Sequence, residues 1–156
     1  MSLNSASCAA GINSGYTPAQ QQEPNNYPTT FAAAYHDYAS AGVVPGAVSG
    51  GGDPSIIESF MNGVTSDSAT ITRFAVALAN YWSGVAVVPA PPNITSVNNA
   101  GSKVAAFEAA IRATITTSDT KPYFKNLIDN TEAVAKTIVW TITPPPPLSP
   151  FTSNVT

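Results

Sequence analysis

Charge is what this sequence has least of: 10% of its 156 residues are Asp, Glu, Lys or Arg, where soluble domains commonly carry about 25%. Interface cores are depleted in these residues, because each would have to be desolvated on contact. A surface so poor in charge therefore suits a protein that ends up covered. Cysteine is nearly absent as well. Cys8 alone excludes an internal disulfide, and with His36 as the one histidine it leaves a zinc site short of ligands. The sequence places Cys8 as a small residue in a flexible arm, with an intermolecular disulfide as the alternative. Long apolar runs are missing too: none approaches the roughly 18 to 20 residues that cross a bilayer. Met1–Ala10 has neither the basic nor the continuous apolar region of a secretory signal. No membrane partner and no signal peptide are expected. Lys103, Lys121, Lys125 and Lys136 are strung out rather than clustered. Counterion release needs several cations converging on one face, so nucleic acid is not an expected partner either.

What remains is enough for one domain: 44% hydrophobic residues in a single-domain length. Residues 1–27 are rich in Ser, Asn, Gln, Gly and Pro, with Gln20-Gln21-Gln22 at their polar end. Such a stretch cannot bury enough apolar area to offset its chain entropy, so it reads as an extended N-terminal arm that orders on a partner. Helical spacing begins at a Thr29 or Thr30 cap and runs through Phe31, Ala34, Tyr35, Tyr38 and Ala39 until Gly42 and Pro45 end it. Ser49–Gly52 then reads as a hinge. Asp53-Pro54 opens a short second helix with Ile56, Ile57, Phe60 and Met61 on its buried side and Gly63 as its stop. The clearest helix runs from Ser66 or Asp67 to Trp82. It carries Ile71, Phe74, Ala75, Leu78, Tyr81 and Trp82 on one stripe, with Thr72, Arg73 and Asn80 off it.

Val85–Val88 reads as a short strand or an extended connector, and Pro89, Pro91 and Pro92 forbid its use as a central strand. Asn98–Ser102 supplies a turn and cap for a helix carrying Val104, Phe107, Ala110 and Ile111. Asp119 or Thr120 with Pro122 starts another short helix through Phe124, Leu127 and Ile128. Asn130 or Thr131 caps a last one through Val134. Over Thr137–Thr143 the β-branched alternation fits an extended end as well as the period fits helix to Ile138. Pro144–Pro147 stiffens the start of a C-terminal arm into polyproline geometry. The expected architecture is mainly α. It is a compact bundle of about five or six short helices over 28–143 with extended arms at 1–27 and 144–156, and β segments are open near 84–88 and 137–143. Without the arms, the helical body is expected to fold by itself.

No residue is assigned to catalysis, to a cofactor or to a metal. A Ser-His-Asp set would need His36, which reads as a solvated histidine on the polar side of the first helix. The nine acids are scattered singly, and Asp53, Asp67 and Asp119 are explained as helix caps. Gly46–Gly52 invites comparison with a phosphate-binding loop, but the Lys-Ser/Thr that should follow is absent and Asp53 puts negative charge where phosphate would sit. The aromatics Phe74, Tyr81, Trp82, Phe107, Phe124 and Trp140 read as core. Asn93-Ile-Thr and Asn154-Val-Thr match the glycosylation pattern, as chance alone would supply among 12 Asn and 33 Ser plus Thr. The Pro-x-x-Pro in the tail lacks a flanking Arg or Lys to orient SH3-type docking, so it reads as a spacer.

Thr72-Arg-Phe-Ala-Val-Ala-Leu-Ala-Asn-Tyr-Trp82 and Lys121-Pro-Tyr-Phe-Lys-Asn-Leu-Ile128, together with the low charge, single Cys and long tails, resemble small virion structural proteins of tailed bacteriophages. That resemblance implies a non-enzymatic subunit in capsid decoration, tail or baseplate. Its partners would be copies of itself and other virion proteins, and it would be located in the virion after assembly in the host cytoplasm. The competing expectation is a soluble helical binding module for a partner protein or a small apolar ligand. The ligand would be held between the helix carrying Trp82 and the helix carrying Phe107.

Overall fold

The computed structural model describes residues 3–14, 27–42, 48–49, 52–64, 69–85, 87–88, 95–115, 123–143 and 149–156. Their elements, in chain order, are α1 (Ser5–Ser14), α2 (Tyr27–Ser40), β1 (Val48–Ser49), α3 (Pro54–Asn62), α4 (Ala69–Ser83), β2 (Val87–Val88) and β3 (Thr95–Asn98). A 3-10 turn (Ala100–Lys103) then leads into α5 (Val104–Ile115), followed by α6 (Tyr123–Ala135), β4 (Val139–Thr143) and β5 (Phe151–Asn154). The fold is mainly α, as expected. Each helix packs on the next in sequence, and α1 closes the set into a ring by lying against both α2 and α6.

The local reasons are legible. Asp53 caps α3 by accepting the Ser55 N–H at 2.9 Å, with Pro54 in the first turn, and Gly63 ends it by donating to the Ser59 and Phe60 carbonyls. On α4 the foreseen stripe is buried at Phe74, Ala75, Leu78, Tyr81 and Trp82 and half-buried at Ile71, while Thr72, Arg73 and Asn80 face solvent. Phe107 and Ile111 point inward from α5, and Leu127 and Ile128 from α6. The core is a chain of rings: Phe60 stacks on Phe74 at 4.7 Å, and Tyr35, Tyr81, Trp82 and Trp140 follow one another edge to face. Both buried indoles have partners, Trp82 Nε1–H donating to Tyr35 Oη at 2.9 Å and Trp140 Nε1–H to the Val85 carbonyl at 3.2 Å.

Several expectations need correction. The arm foreseen at 1–27 is helical over Ser5–Ser14, because Cys8, Ala9 and Ile12 form an apolar face that α2 and α6 cover within the same chain. Asn4 starts this helix by accepting the Ser7 N–H at 3.0 Å, and Gly11 lets it approach so closely that an added Cβ would stand 2.9 Å from Ala34 Cβ. The foreseen C-terminal arm is likewise folded where it is described. Phe151–Asn154 pairs with β4, Val155 is buried, and the Leu3 N–H donates to the Thr156 carbonyl at 3.1 Å. Val155 and Leu3 close over Gly42, where a Cβ would meet their methyl groups at 2.6 and 2.9 Å. Residues 15–26 and the polyproline stretch Pro144–Pro147 lie outside the described residues.

The third correction concerns α6, one continuous helix where two were foreseen. Asn130 and Thr131 do not cap. Asn130 Nδ2 donates across to Thr114 Oγ1 on α5 at 2.8 Å, and Thr131 Oγ1 donates back to the Leu127 carbonyl at 2.8 Å, so both polar side chains are satisfied in mid-helix. Thr29 does not cap α2 either. The helix begins at Tyr27, and Thr29 Oγ1 donates to Glu58 of α3 at 3.0 Å. The ambiguity over Thr137–Thr143 resolves as strand from Val139, with Trp140 and Ile142 turned into the core. β2 pairs with β1, which takes in Ser49 of the foreseen hinge, while Gly50 and Gly51 lie outside the described residues; β3 was not foreseen at all.

Candidate functional site

His36 is half-buried rather than solvated. Its Nδ1 lies 2.9 Å from the phenol oxygen of Tyr81, so α2 presents the ring to α4 and the bonded partner is a phenol, not a serine hydroxyl. Tyr81 is fully buried, and burial pushes its phenol up to about 12 against the opposing pull of the Gly52 backbone N–H. It is therefore neutral at physiological pH, and the His36 tautomer sets which of the two donates. Gly52, the described end of the glycine-rich segment, packs closely against Tyr81. The Asp53 carboxyl, held below the usual range by its bonds to Ser55, remains a helix cap.

A second polar cluster forms where α1, α2 and α6 meet. Tyr38 Oη donates to Glu132 Oε2 at 3.0 Å, and Lys136 Nζ stands 2.7 Å from Glu132 Oε1. Beside them Cys8 is 2% exposed, and burial, helped by the negative charge of Glu132, pushes its thiol up to about 12. Burial likewise raises the phenols of Tyr35 and Tyr38. A protonated, enclosed thiol is neither a good nucleophile nor accessible to an intermolecular disulfide, so Cys8 is a core residue and not part of a floppy arm.

Two further ion pairs are local. Arg112 pairs with Glu108 at 2.8 Å and Lys125 with Asp129 at 2.6 Å, each one turn along its own helix. Glu108 is held below the usual carboxylate range by Arg112 and also accepts from Thr72. Among the described residues no group of three His, Cys, Asp or Glu could hold a metal ion, and no helix is long and apolar enough to cross a membrane. Asp67 and Asp119 lie outside the described residues, as does Asn93. Asn154 is described, and its side-chain amide donates to the Lys136 and Ile138 carbonyls at 3.1 and 3.0 Å, where glycosylation would disrupt the turn into β4.

Clefts open between the helices. One of about 260 Å³ lies between α1 and α2, with Cys8 and Tyr38 among its lining, one of about 420 Å³ lies between Phe60 of α3 and Val76 of α4, and one of about 670 Å³ lies among Leu3, the first turn of α1, Ala41 and Lys125. Trp82 and Phe107, foreseen as walls of a ligand pocket, line none of these, and both are fully buried in the core. Of the foreseen aromatic set, Phe74 and Trp140 are also buried and Phe124 is half-buried.

The feature that sequence patterning did not single out is the antiparallel sheet β3-β4-β5. Not one of its residues is charged. Trp140 and Ile142 cover the helices from its inner face, and Val97 stands on its outer face at 67% exposure. Val97 sits opposite Thr141, which is itself opposite Thr152, so this row is β-branched and uncharged throughout. The Asn99 N–H donates to the Val139 carbonyl and the Val139 N–H to Asn99 Oδ1, which fixes the ladder's alternation. Odd-numbered residues of β3 turn their backbone groups toward β4, and Ser96 and Asn98 turn theirs to the open edge. A period-2 signal does exist in Thr95–Asn98, but the prolines before it and the turn after it mask so short a strand.

No protein-family model, no curated protein and no solved structure matches this chain.

Proposed function

We propose that the chain is a structural subunit of a multi-copy particle of the tailed-phage kind, held in place by contacts between its folded body and copies of itself or other particle proteins. The observation that carries this reading is the uncharged sheet. A monomer exposed to solvent usually guards such a surface with charge, above all on edge strands. Here β3, β4 and β5 have none, on a chain with 10% charged residues. Covering that surface costs no ion desolvation. The likeness of the Thr72–Trp82 and Lys121–Ile128 segments to short phage structural proteins points the same way. Capsid, tail and baseplate differ in which neighbours do the covering.

The folded termini change how such a subunit would work. Leu3, Ile12 and Val155 are buried in the subunit's own core, so contacts come from the body's surface and not from long free arms. The test is to express the full chain together with the products of the genes that flank its own and to separate particles from soluble protein by sedimentation. The chain should sediment with the particles, and alone it should show a mass that rises with concentration in light scattering. A chain that stays monomeric at millimolar concentration and is absent from every particle refutes the reading.

A further inference from the structure

The open edge of β3 is complementary to itself. Ser96 and Asn98 direct their backbone N–H and C=O groups outward, and Val97 lies midway between them. If a two-fold axis passes beside Val97, Ser96 of each copy faces Asn98 of the other as a hydrogen-bonded pair. The two Val97 residues then meet as a non-hydrogen-bonded pair, whose Cα atoms in antiparallel sheets stand about 4.5 Å apart. A charge on or beside that axis would meet its own sign, and like charges directly opposite are destabilising, a penalty that an uncharged strand does not carry. Thr95–Asn98 is uncharged, and the nearest charged residue in the chain is Lys103.

The opposite edge differs. The outward direction on β5 falls on Thr152 and Asn154 and, continuing the alternation, on Thr156, whose carbonyl already accepts the Leu3 N–H. Asn154 commits its side chain to Lys136 and Ile138. Among the described residues no strand lies beyond β3. We infer that β3 pairs antiparallel with β3 of a second copy of this chain about a two-fold axis at Val97, joining two three-stranded sheets into one continuous sheet. This rests on the structural-subunit reading and names the partner of its uncharged sheet. The ribbon is only four residues long, well short of the roughly 800 Å² per partner that a stable dimer buries. The pairing is therefore weak in dilute solution and takes hold where copies are concentrated, as in a particle.

The experiment uses the full chain with Val97→Cys, since Cα atoms at that spacing fall in the disulfide range of about 4.4 to 6.8 Å. The parent chain has only the buried Cys8 and serves as the blank. The reference is Val64→Cys, at a position 48% exposed beyond the end of α3. Under mild oxidation at equal concentration, the Val97→Cys chain should form covalent dimer about tenfold faster or more than the Val64→Cys chain. Adding Ser96→Pro, which removes one edge N–H, should return it to the reference rate with the circular dichroism melt unchanged. Equal rates for the two cysteine variants, or a Ser96→Pro chain that keeps the fast rate, overturn the proposal. If the chain sediments with particles while Val97→Cys behaves as the reference, this interface is wrong and the structural-subunit reading stands. Fast cross-linking in a chain that enters no particle keeps the pairing and removes that reading.

Discussion

Two adjacent residues, Ile12 and Asn13, test whether α1 belongs to the folded body. Ile12 is 0% exposed on a helix packed against α2 and α6, and Asn13, one residue on, faces solvent. Ile12→Ala removes three carbons from the core, about 2.4 kcal/mol at roughly 0.8 kcal/mol per methylene. The cavity left behind brings the cost to about 3 kcal/mol, inside the span of about 2 to 5 measured for such truncations. For a domain of this size each kcal/mol moves the midpoint by roughly 2 to 4 °C, so a drop of about 6 to 12 °C is expected. Asn13→Ala is the control. It should stay within about 0.5 kcal/mol of the parent, as surface substitutions do, and the better helix propensity of Ala sets the sign of any small change toward stabilisation. The assay is urea unfolding followed by the fluorescence of Trp82 and Trp140, both buried in the native chain. If Ile12→Ala, like the control, unfolds within about 0.5 kcal/mol of the parent, α1 contributes nothing to the core and does not close the ring of helices. The same reasoning reverses the expectation that the body folds without its ends. Removing residues 1–27 and 144–156 takes away Leu3, Cys8, Ile12 and Val155, and this truncated chain should lose its cooperative thermal transition.

Tyr35→Phe leaves the buried Trp82 indole N–H without its acceptor and should cost about 1 to 3 kcal/mol. In a double-mutant cycle with Trp82→Phe the two losses should not add. Cys8 should resist an aromatic disulfide reagent in native buffer and react at once in denaturant, because its thiol is 2% exposed and pushed up to about 12; rapid labelling of the native chain would contradict its placement. The Asp53 carboxyl is held below its ordinary value by its bonds to Ser55. Its stabilisation is thus present above the ordinary carboxylate pKa of about 3.9 and lost as pH falls through the lower folded value. Asp53→Asn should weaken this part of the acid dependence, measured as the difference in urea midpoint between neutral and acidic buffer, and an unchanged difference would count against the cap.

The helices that could be read from the sequence are those in which local chemistry and burial agree. Asp53-Pro54 and Gly63 bound α3 by capping chemistry alone, and the stripe from Ile71 to Trp82 requires one buried face whatever that face touches. The errors fall where a local signal was answered by a distant partner. Asn130 and Thr131 look like caps, but Thr114 on α5 and the carbonyls of the preceding turn satisfy them first. His36 lies off the apolar stripe of its helix and would be solvated there, had Tyr81 not met it from α4. The small residues around Cys8 carry too little apolar area to announce a helix, and only the grooves of α2 and α6 make that area sufficient.

By itself the sequence determined that the protein is mainly helical, poor in charge and without an assembled set of catalytic or metal-ligating residues in any one stretch. Composition, capping and periodicity are local quantities, and they act before the chain folds. The tertiary structure decided what the two ends are and which surface is left bare. Whether Ile12 is an arm residue or a core residue depends on a cleft whose walls, α2 and α6, come from distant parts of the chain. Whether Thr95–Asn98 is a loop or an open edge depends on Val139–Thr143 arriving beside it. Those pairings are set by which apolar faces are still uncovered once the local helices exist, and among the described residues the uncharged strand at Val97 is left with an open edge.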